Sequence, residues 1–312
     1  MLTVAIPVRD GGALLEEVLE MVAAQSVEHE LLICDSGSSD GSVERARAAR
    51  ADVFSIPPDQ FSHGGTRNLL MERASGSHVA FLTQDAVPAD EHWLARLRAP
   101  FEDEAGVGLT FGPYRPRPNA SPMVARELTT WFASLPAGIE RLAPSQRDLP
   151  AALLLGPRGF FTDANGCVSR AAWQEVPFRA VPYAEDHVLA HDMLRAGYGK
   201  AYLPEAAVIH SHEYSGWGWL RRSFDEARAV HEVYGLDEAG RPGVAVRRIR
   251  GGVGGDLRAA RAAGGGTAGA LRLAPASVRH HGLRAAGAML GVRADQLPPA
   301  VVRRISGEGR AN

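Results

Sequence analysis

SHVAFLTQDAVP, residues 77–88, decides how the rest of the chain is read. A short run of hydrophobic and small residues leads to Gln84 and Asp85 and stops at Pro88, which is the profile of an interior strand with a polar exit. A carboxylate at the end of a buried strand is costly unless water, a donor or a cation meets it. Asp85 is therefore the first candidate for chemistry. Alone it reads equally well as a cap for the following turn; two further polar strand exits favour the functional reading.

Working outward, strand and helix signals alternate through the N-terminal half. LTVAIPV (2–8) reads as a strand, LLEEVLEMVAAQ (14–25) as a helix, HELLICDSGSSDGS (29–42) as a strand ending in an acidic turn, and SVERARAARA (42–51) as a helix. DVFSIPP (52–58) suits a third strand, and the loop QFSHGG precedes a helix over TRNLLMERAS. This alternation predicts an α/β fold with a mainly parallel sheet flanked by helices. Ligands of such sheets gather beyond the carboxyl ends of the strands, so Pro7 to Asp10, Asp35 to Gly37, and Gln84 with Asp85 should share one crevice. Beyond residue 100 come Pro-rich loops (113–122), a helix near 123–135, and further strands and helices between 159 and 215.

The chain of 312 residues is 45% hydrophobic, with net charge −2. That near-balance hides an asymmetry: residues 241–312 carry 13 arginines against Asp256, Asp295 and Glu308, a balance of +10, which leaves −12 for residues 1–240. The composition divides the chain at about 240 into an α/β body (halves 1–115 and 116–240) and a basic Arg/Ala/Gly-rich extension. Residues 251–272 read as solvated and partly disordered, and 275–291 as a short amphipathic helix. Such a tail suits peripheral contact with an anionic membrane; a nucleic-acid role would rest on it alone and is not expected. With no apolar run of membrane-spanning length and no leader pattern, a cytoplasmic location is expected. Cys34 and Cys167 sit in apolar runs and argue against disulfide or redox chemistry.

Other candidates carry their own alternatives. Asp35 could face a base N–H while Ser39 or Asp40 caps the next helix. Glu185 and Asp186 begin a helical segment, where acids suit the dipole and most do nothing more; as a functional pair, Asp186 would be a general base and Glu185 would orient the acceptor. His210 and His212 leave a strand on one face and could complete a metal shell. Arg221 and Arg222 could meet a diphosphate or merely line a solvated helix.

AIPVRDGG, CDSGSSDGS, HGGTRNLLMERASG, FLTQDAVP, TDANGCVSRAAWQEVPF, AEDHVLAHDMLRAGY and YLPEAAVIHSHEYS, in this order, resemble the family-2 inverting glycosyltransferases of GT-A fold over residues 1–235. The segments TQDAVP, SHGGTRN and HSHEYS look most like its rhamnosyltransferase branch. The resemblance implies a Rossmann-like sheet and a hexosyl transfer from a dTDP- or UDP-sugar to a glycan or polyprenyl-linked acceptor, assisted by Mg²⁺ or Mn²⁺. It assigns Asp35 to the base, with Pro7, Arg9 and Arg67 nearby, Gln84 and Asp85 to the DXD-like position, and Asp85 with His210 or His212 to the metal. By position, Asn165, Arg170 and Trp173 would line the acceptor pocket. Two departures stand out: Gln84-Asp85-Ala86 offers one carboxylate where the motif has two, and Arg9-Asp10 replaces an aromatic-Asn pair. A nucleotidyltransferase would place a Gly-rich basic loop after the first strand, and PVRDGG lacks its lysine. A non-catalytic carbohydrate-binding protein is the remaining alternative.

Overall fold

The computed structural model describes residues 1–150 and 156–307, so the last residues of the basic extension, 308–312, lie outside the described part. The chain forms two compact units: Met1–Pro116 with Trp131–Val181 and Glu185–His210, and Arg117–Thr130 with Pro182–Ala184 and Ser211–Asn312. The C-terminal unit thus begins some thirty residues before the composition changes.

The first unit is built on an eight-stranded sheet of order β3-β2-β1-β4-β9-β6-β10-β8, whose edge strand β8 (Gly138–Glu140) runs antiparallel to β10 (Gly199–Tyr202). Strands β1 (Leu2–Val8), β2 (His29–Asp35), β3 (Asp52–Ser55) and β4 (His78–Leu82) run parallel. Helix α1 (Gly12–Ala23) buries Leu15, Val18, Leu19 and Val22, one face at helical spacing, against a core that includes Val4, Ile6 and Ile33. Helix α3 (His63–Arg73) starts three residues earlier than its sequence pattern suggests, because Ser62 caps it by accepting from the Gly65 N–H. Strand β9 (Asn165–Ser169) departs from the parallel pattern. It runs antiparallel to β4 and to β6 (Val107–Phe111), with Asn165 opposite Leu82 and Ser169 opposite His78. Its first residue therefore lies at the carboxyl end of the sheet and its last at the amino end. A small second sheet joins β5 (Val87–Pro88), β7 (Tyr114–Arg115) and β11 (Val208–Ile209) in the order β5-β11-β7.

The second unit is helical, and here the sequence reading needs correction. The stretch 251–272, expected to be partly disordered, belongs to α9 (Pro242–Ala260) and α10 (Gly266–Gly291), which are joined by a kink where Gly264 takes φ +86°. The helix expected over 275–291 thus begins nine residues earlier. Its small residues serve close packing: a Cβ on Gly287 would lie 2.1 Å from the Leu220 carbonyl oxygen, and one on Gly291 2.2 Å from that of Phe224. The two glycines, four apart, share one helix face and admit the backbone of α8 (Gly216–Tyr234). Leu220, Phe224 and Ile305 form the adjoining apolar seam with Leu283 and Leu290. Among the described residues no helix is long and apolar enough to cross a membrane.

Candidate active site

The carboxyl ends of β1, β2 and β4 meet as neighbours in the sheet, which brings the expected exits together. Gln84 locks two of them: its Oε1 accepts from the Arg9 N–H at 2.8 Å and its Nε2 donates to the Arg9 carbonyl at 3.0 Å. The loops after β1 and β2 are knitted as tightly. Asp10, at φ 49°, accepts from the Ser39 N–H at 2.7 Å, while Gly11 and Gly12 donate to Ser42 and Asp40; Asp tolerates this left-handed geometry better than most residues. Asp35 is buried and accepts from the Gly37 N–H at 3.0 Å and the Ser38 N–H at 3.2 Å. Pro7 and exposed Arg9 flank the same rim.

Asp85 follows β4 by three residues. The pairing of β11 with β5 carries buried His210 to it, with Nδ1 3.5 Å from Asp85 Oδ1, and the Tyr114 ring packs edge-on against the imidazole. One hard oxygen and one imidazole nitrogen at this separation suit two adjacent positions around Mn²⁺ or Mg²⁺. His212 belongs to the second unit. Arg221 and Arg222 fall there too, on α8, where Arg221 donates to the Arg304 carbonyl and lies over Trp217, while Arg222 pairs with Glu226 and lies over Tyr183.

Glu185 and Asp186 open α7 (Glu185–Ala196), which leads through a two-residue turn into β10 (Gly199–Tyr202). A helix that feeds a parallel strand begins at the carboxyl end of the sheet, the end where Asp85 lies. Behind the pair is a buried ionic cluster. Arg67 Nη2 donates to Asp163 Oδ1 at 2.7 Å, Nε contacts the other Asp163 oxygen, and Nη1 reaches Glu185 Oε1 at 3.1 Å. Arg67, Asp163 and Glu185 are each at most 5% exposed.

One guanidinium cannot keep three enclosed carboxylates ionised, and their titration separates. Burial pushes the Asp163 carboxyl well above its ordinary range, Arg67 offsets this only in part, and Glu185 adds to the rise. Burial also acts to raise Glu185, but Arg67 and His63 outweigh it and hold that acid below the usual value. Asp186 is raised, first by burial and then by Glu185, against the pull of His187 and Arg67. The result is an ionised Glu185 beside an Asp186 of increased basicity.

Several expected roles change. Arg67 does not reach a nucleotide, because its guanidinium is enclosed by Asp163, Glu185 and the His63 carbonyl. Asn165 is wholly buried and its amide is spent internally: Oδ1 accepts from Trp93 at 2.7 Å, and Nδ2 donates to the Pro113 and Ala206 carbonyls. Arg170 follows the antiparallel β9 to the amino end of the sheet, where its N–H meets Ser77 and its guanidinium the Glu72 carbonyl. Trp173 donates to Asn68. None of Asn165, Arg170 and Trp173 presents its polar group to an acceptor. The residue missed is Asp163, two before Asn165 in TDANG. The argument applied to Asp85, an acid abutting an apolar strand, would have found it.

Residues 3–153 match the family model described as Glycosyl transferase family 2. The O-antigen chain rhamnosyltransferase RfbN of Salmonella typhimurium is 31% identical over 231 residues, covering 72% of this chain and 70% of that protein. WbaN of Salmonella anatum, also an O-antigen chain rhamnosyltransferase, is 32% identical over 204 residues, 63% of this chain and 61% of its own. Among solved structures, the mannosyltransferase PcManGT from Pyrobaculum calidifontis, in complex with GDP-Man and Mn²⁺, aligns with TM-score 0.59 and 16% identity over 93% of this chain and 86% of that one. TarS of S. aureus in complex with UDP aligns with TM-score 0.51 and 14% identity over 95% and 91%. At such identities the likeness establishes the GT-A-like fold.

Proposed function

The chain belongs to glycosyl transferase family 2 and is a glycosyltransferase, and we propose that it moves rhamnose, with inversion, from a dTDP- or UDP-sugar to a hydroxyl of a glycan or polyprenyl-linked acceptor in surface polysaccharide synthesis. The two rhamnosyltransferase relatives support the sugar and the pathway class. The observation that carries the chemistry is the placement of Glu185 and Asp186 side by side at the head of α7, with Arg67 Nη1 holding Glu185 Oε1 at 3.1 Å.

In this reading Asp186 accepts the proton of the attacking hydroxyl, and its raised pKa makes it a stronger base than an ordinary aspartate. Ionised Glu185, gripped by Arg67, orients the acceptor. The knitted loops around Asp35 and Arg9 bind the base and ribose, and the tie from Gln84 to Arg9 keeps Asp85 in register with them. A divalent cation, Mg²⁺ or Mn²⁺, held by Asp85 and His210 would neutralise the charge that develops on the departing nucleoside diphosphate. Asp186 takes the proton on the face opposite the leaving group, so a single displacement inverts the anomeric centre and no covalent nucleophile is required.

Release of nucleoside diphosphate from dTDP-, UDP- and GDP-sugars, assayed with chelator and with Mg²⁺ or Mn²⁺ added back, tests the reading. The expected result is turnover of a dTDP- or UDP-sugar that chelator abolishes; full turnover in chelator removes the Asp85 role. For location, we propose a cytoplasmic protein that docks peripherally on an anionic membrane. Support comes from the exposed arginines 247, 248, 250, 272 and 279 interspersed with exposed Val246, Leu271 and Val278. Charge reversal at Arg247, Arg248 and Arg250 in the full chain should abolish co-sedimentation with phosphatidylserine vesicles; unchanged partitioning overturns it.

A further inference from the structure

The second unit contains a buried polar cluster that the transfer reaction does not use. Glu127 comes from α5 (Pro122–Ala133), Asp256 from α9, and Ser277, His280, His281 and Arg284 from α10. Asp256, 1% exposed, receives Ser277 Oγ at 2.6 Å, His281 Nε2 at 2.8 Å and the Arg126 Nε. With the Arg126 guanidinium and Ser277 also donating to it, Asp256 acts as the acceptor, so His281 Nε2 carries the proton of that bond. With Nε2 committed to Asp256, Nδ1 is the ring nitrogen left to meet a cation through its lone pair.

That lone pair faces Glu127 Oε1 at 3.5 Å, and His280 Nε2 lies 3.4 Å from Glu127 Oε2. Two acceptors turned toward each other need something positive between them. Both separations are long for hydrogen bonds, and each, taken to a different oxygen of the one carboxylate, is close to the spacing of about 3.3–3.4 Å between neighbouring ligand atoms at the usual zinc distances of about 2.0–2.1 Å. One ligand atom each from Glu127, His280 and His281 lies within 4.8 Å of the others. Arg284 anchors Glu127 through Oε2, and Asp256 behind His281 repeats the outer carboxylate that orients metal-bound imidazoles.

We propose that Glu127, His280 and His281 form a binding site for a borderline divalent transition ion, best matched by Zn²⁺, with Asp256 as the carboxylate that orients His281. The two-nitrogen, one-carboxylate donor set selects such an ion over Mg²⁺ or Ca²⁺. Bound there, it staples α5 to α10 across more than 150 residues of sequence. Asp85 and His210 belong to the first unit, so the two sites can be separated by mutation.

Full-length protein is stripped with chelator, given Zn²⁺, desalted and analysed for metal, in an Asp85→Ala background that weakens the first-unit site. One Zn²⁺ per chain should remain, and Zn²⁺ should raise the melting temperature. Glu127→Gln, His280→Gln and His281→Gln should each lose both effects, and Asp256→Asn should weaken binding about 10–100-fold. Substoichiometric Zn²⁺ in the Asp85→Ala protein, or undiminished affinity in folded His280→Gln, overturns the proposal. Where a ligand variant does not fold, Co²⁺ added to Asp85→Ala protein decides. Visible bands of tetrahedral Co²⁺ with nitrogen and oxygen ligands are expected, and their absence overturns the site.

Discussion

The two units bury charge in opposite ways. In the first, among the described residues, Arg67 is the one guanidinium that meets Asp163, Glu185 and Asp186, aided only by the His63 and His187 imidazoles, so acid is in excess. In the second, Arg126 answers Asp256 and Arg284 answers Glu127, and both carboxyls stay below their ordinary values. Burial of an ion costs several kcal/mol in either place, but only the unbalanced cluster converts that cost into groups that titrate above the usual carboxylate range. Acid in excess favours proton transfer, while matched charge favours a fixed scaffold that imidazoles can extend toward a cation.

The contrast is broken most directly at Asp186. Asp186→Asn should lower kcat by about 10²–10⁴-fold while the donor KM stays near wild type, and steady-state kinetics with a saturating acceptor measures both. In the wild type the rate should fall on the acid side as Asp186 protonates, with a midpoint above the ordinary aspartate value because its pKa is raised. Substantial transfer by the variant would mean that the unbalanced cluster serves stability alone. The next largest effect is expected at Arg67. Arg67→Met leaves three enclosed acids without their cation and should cost about 3–5 kcal/mol in urea unfolding. A loss below 1 kcal/mol would show that the acids already carry their protons.

The succession of strands and helices from β1 to β4 and the convergence of their exits at Arg9, Asp35 and Gln84 were legible because each depends on local pattern and on the rule that parallel strands share a carboxyl end, while the order of the strands in the sheet was not. Arg170 was misplaced because nothing in NGCVSR signals that β9 runs backwards, which sends it to the amino end of the sheet, and Asn165 because the partners that take up its amide, Trp93, Pro113 and Ala206, are far away in sequence. Arg67 was misread because its partner Asp163 is 96 residues away, beyond any local signal. The helical tail was misread because Gly lowers helix propensity and Ala adds little apolar surface, whether they loosen a chain or admit a neighbouring backbone.

That last distinction yields a pair of opposite signs on one helix. Gly287→Ala forces a Cβ to within 2.1 Å of the Leu220 carbonyl oxygen and should cost about 1–3 kcal/mol, as overpacking does. Gly282, also in α10, has nothing within 4 Å of its would-be Cβ, so Gly282→Ala should gain about 0.5–1 kcal/mol from helix propensity. Thermal melts of the two variants check the scaffold reading of the second unit. Equal signs would return the tail glycines to flexible spacing.

The smallest and most discriminating effect belongs to Asp163. Its folded pKa lies above the unfolded one, so its contribution to stability is fully present below the unfolded value and is lost as pH rises through the folded value. Glu185 works the other way: its folded pKa is lowered, so its contribution is present above the unfolded value and lost as pH falls through the folded one. Asp163→Asn mimics the protonated acid and cannot ionise. Against wild type it should show little change near pH 4 and a relative gain that grows with pH, by no more than about 1.4 kcal/mol per pH unit, in urea titrations at a series of pH values. Glu185→Gln should lose stability relative to wild type over the same range. If the two variants tilt in the same direction, the acids share their charge evenly, and Asp186 owes its basicity to burial alone.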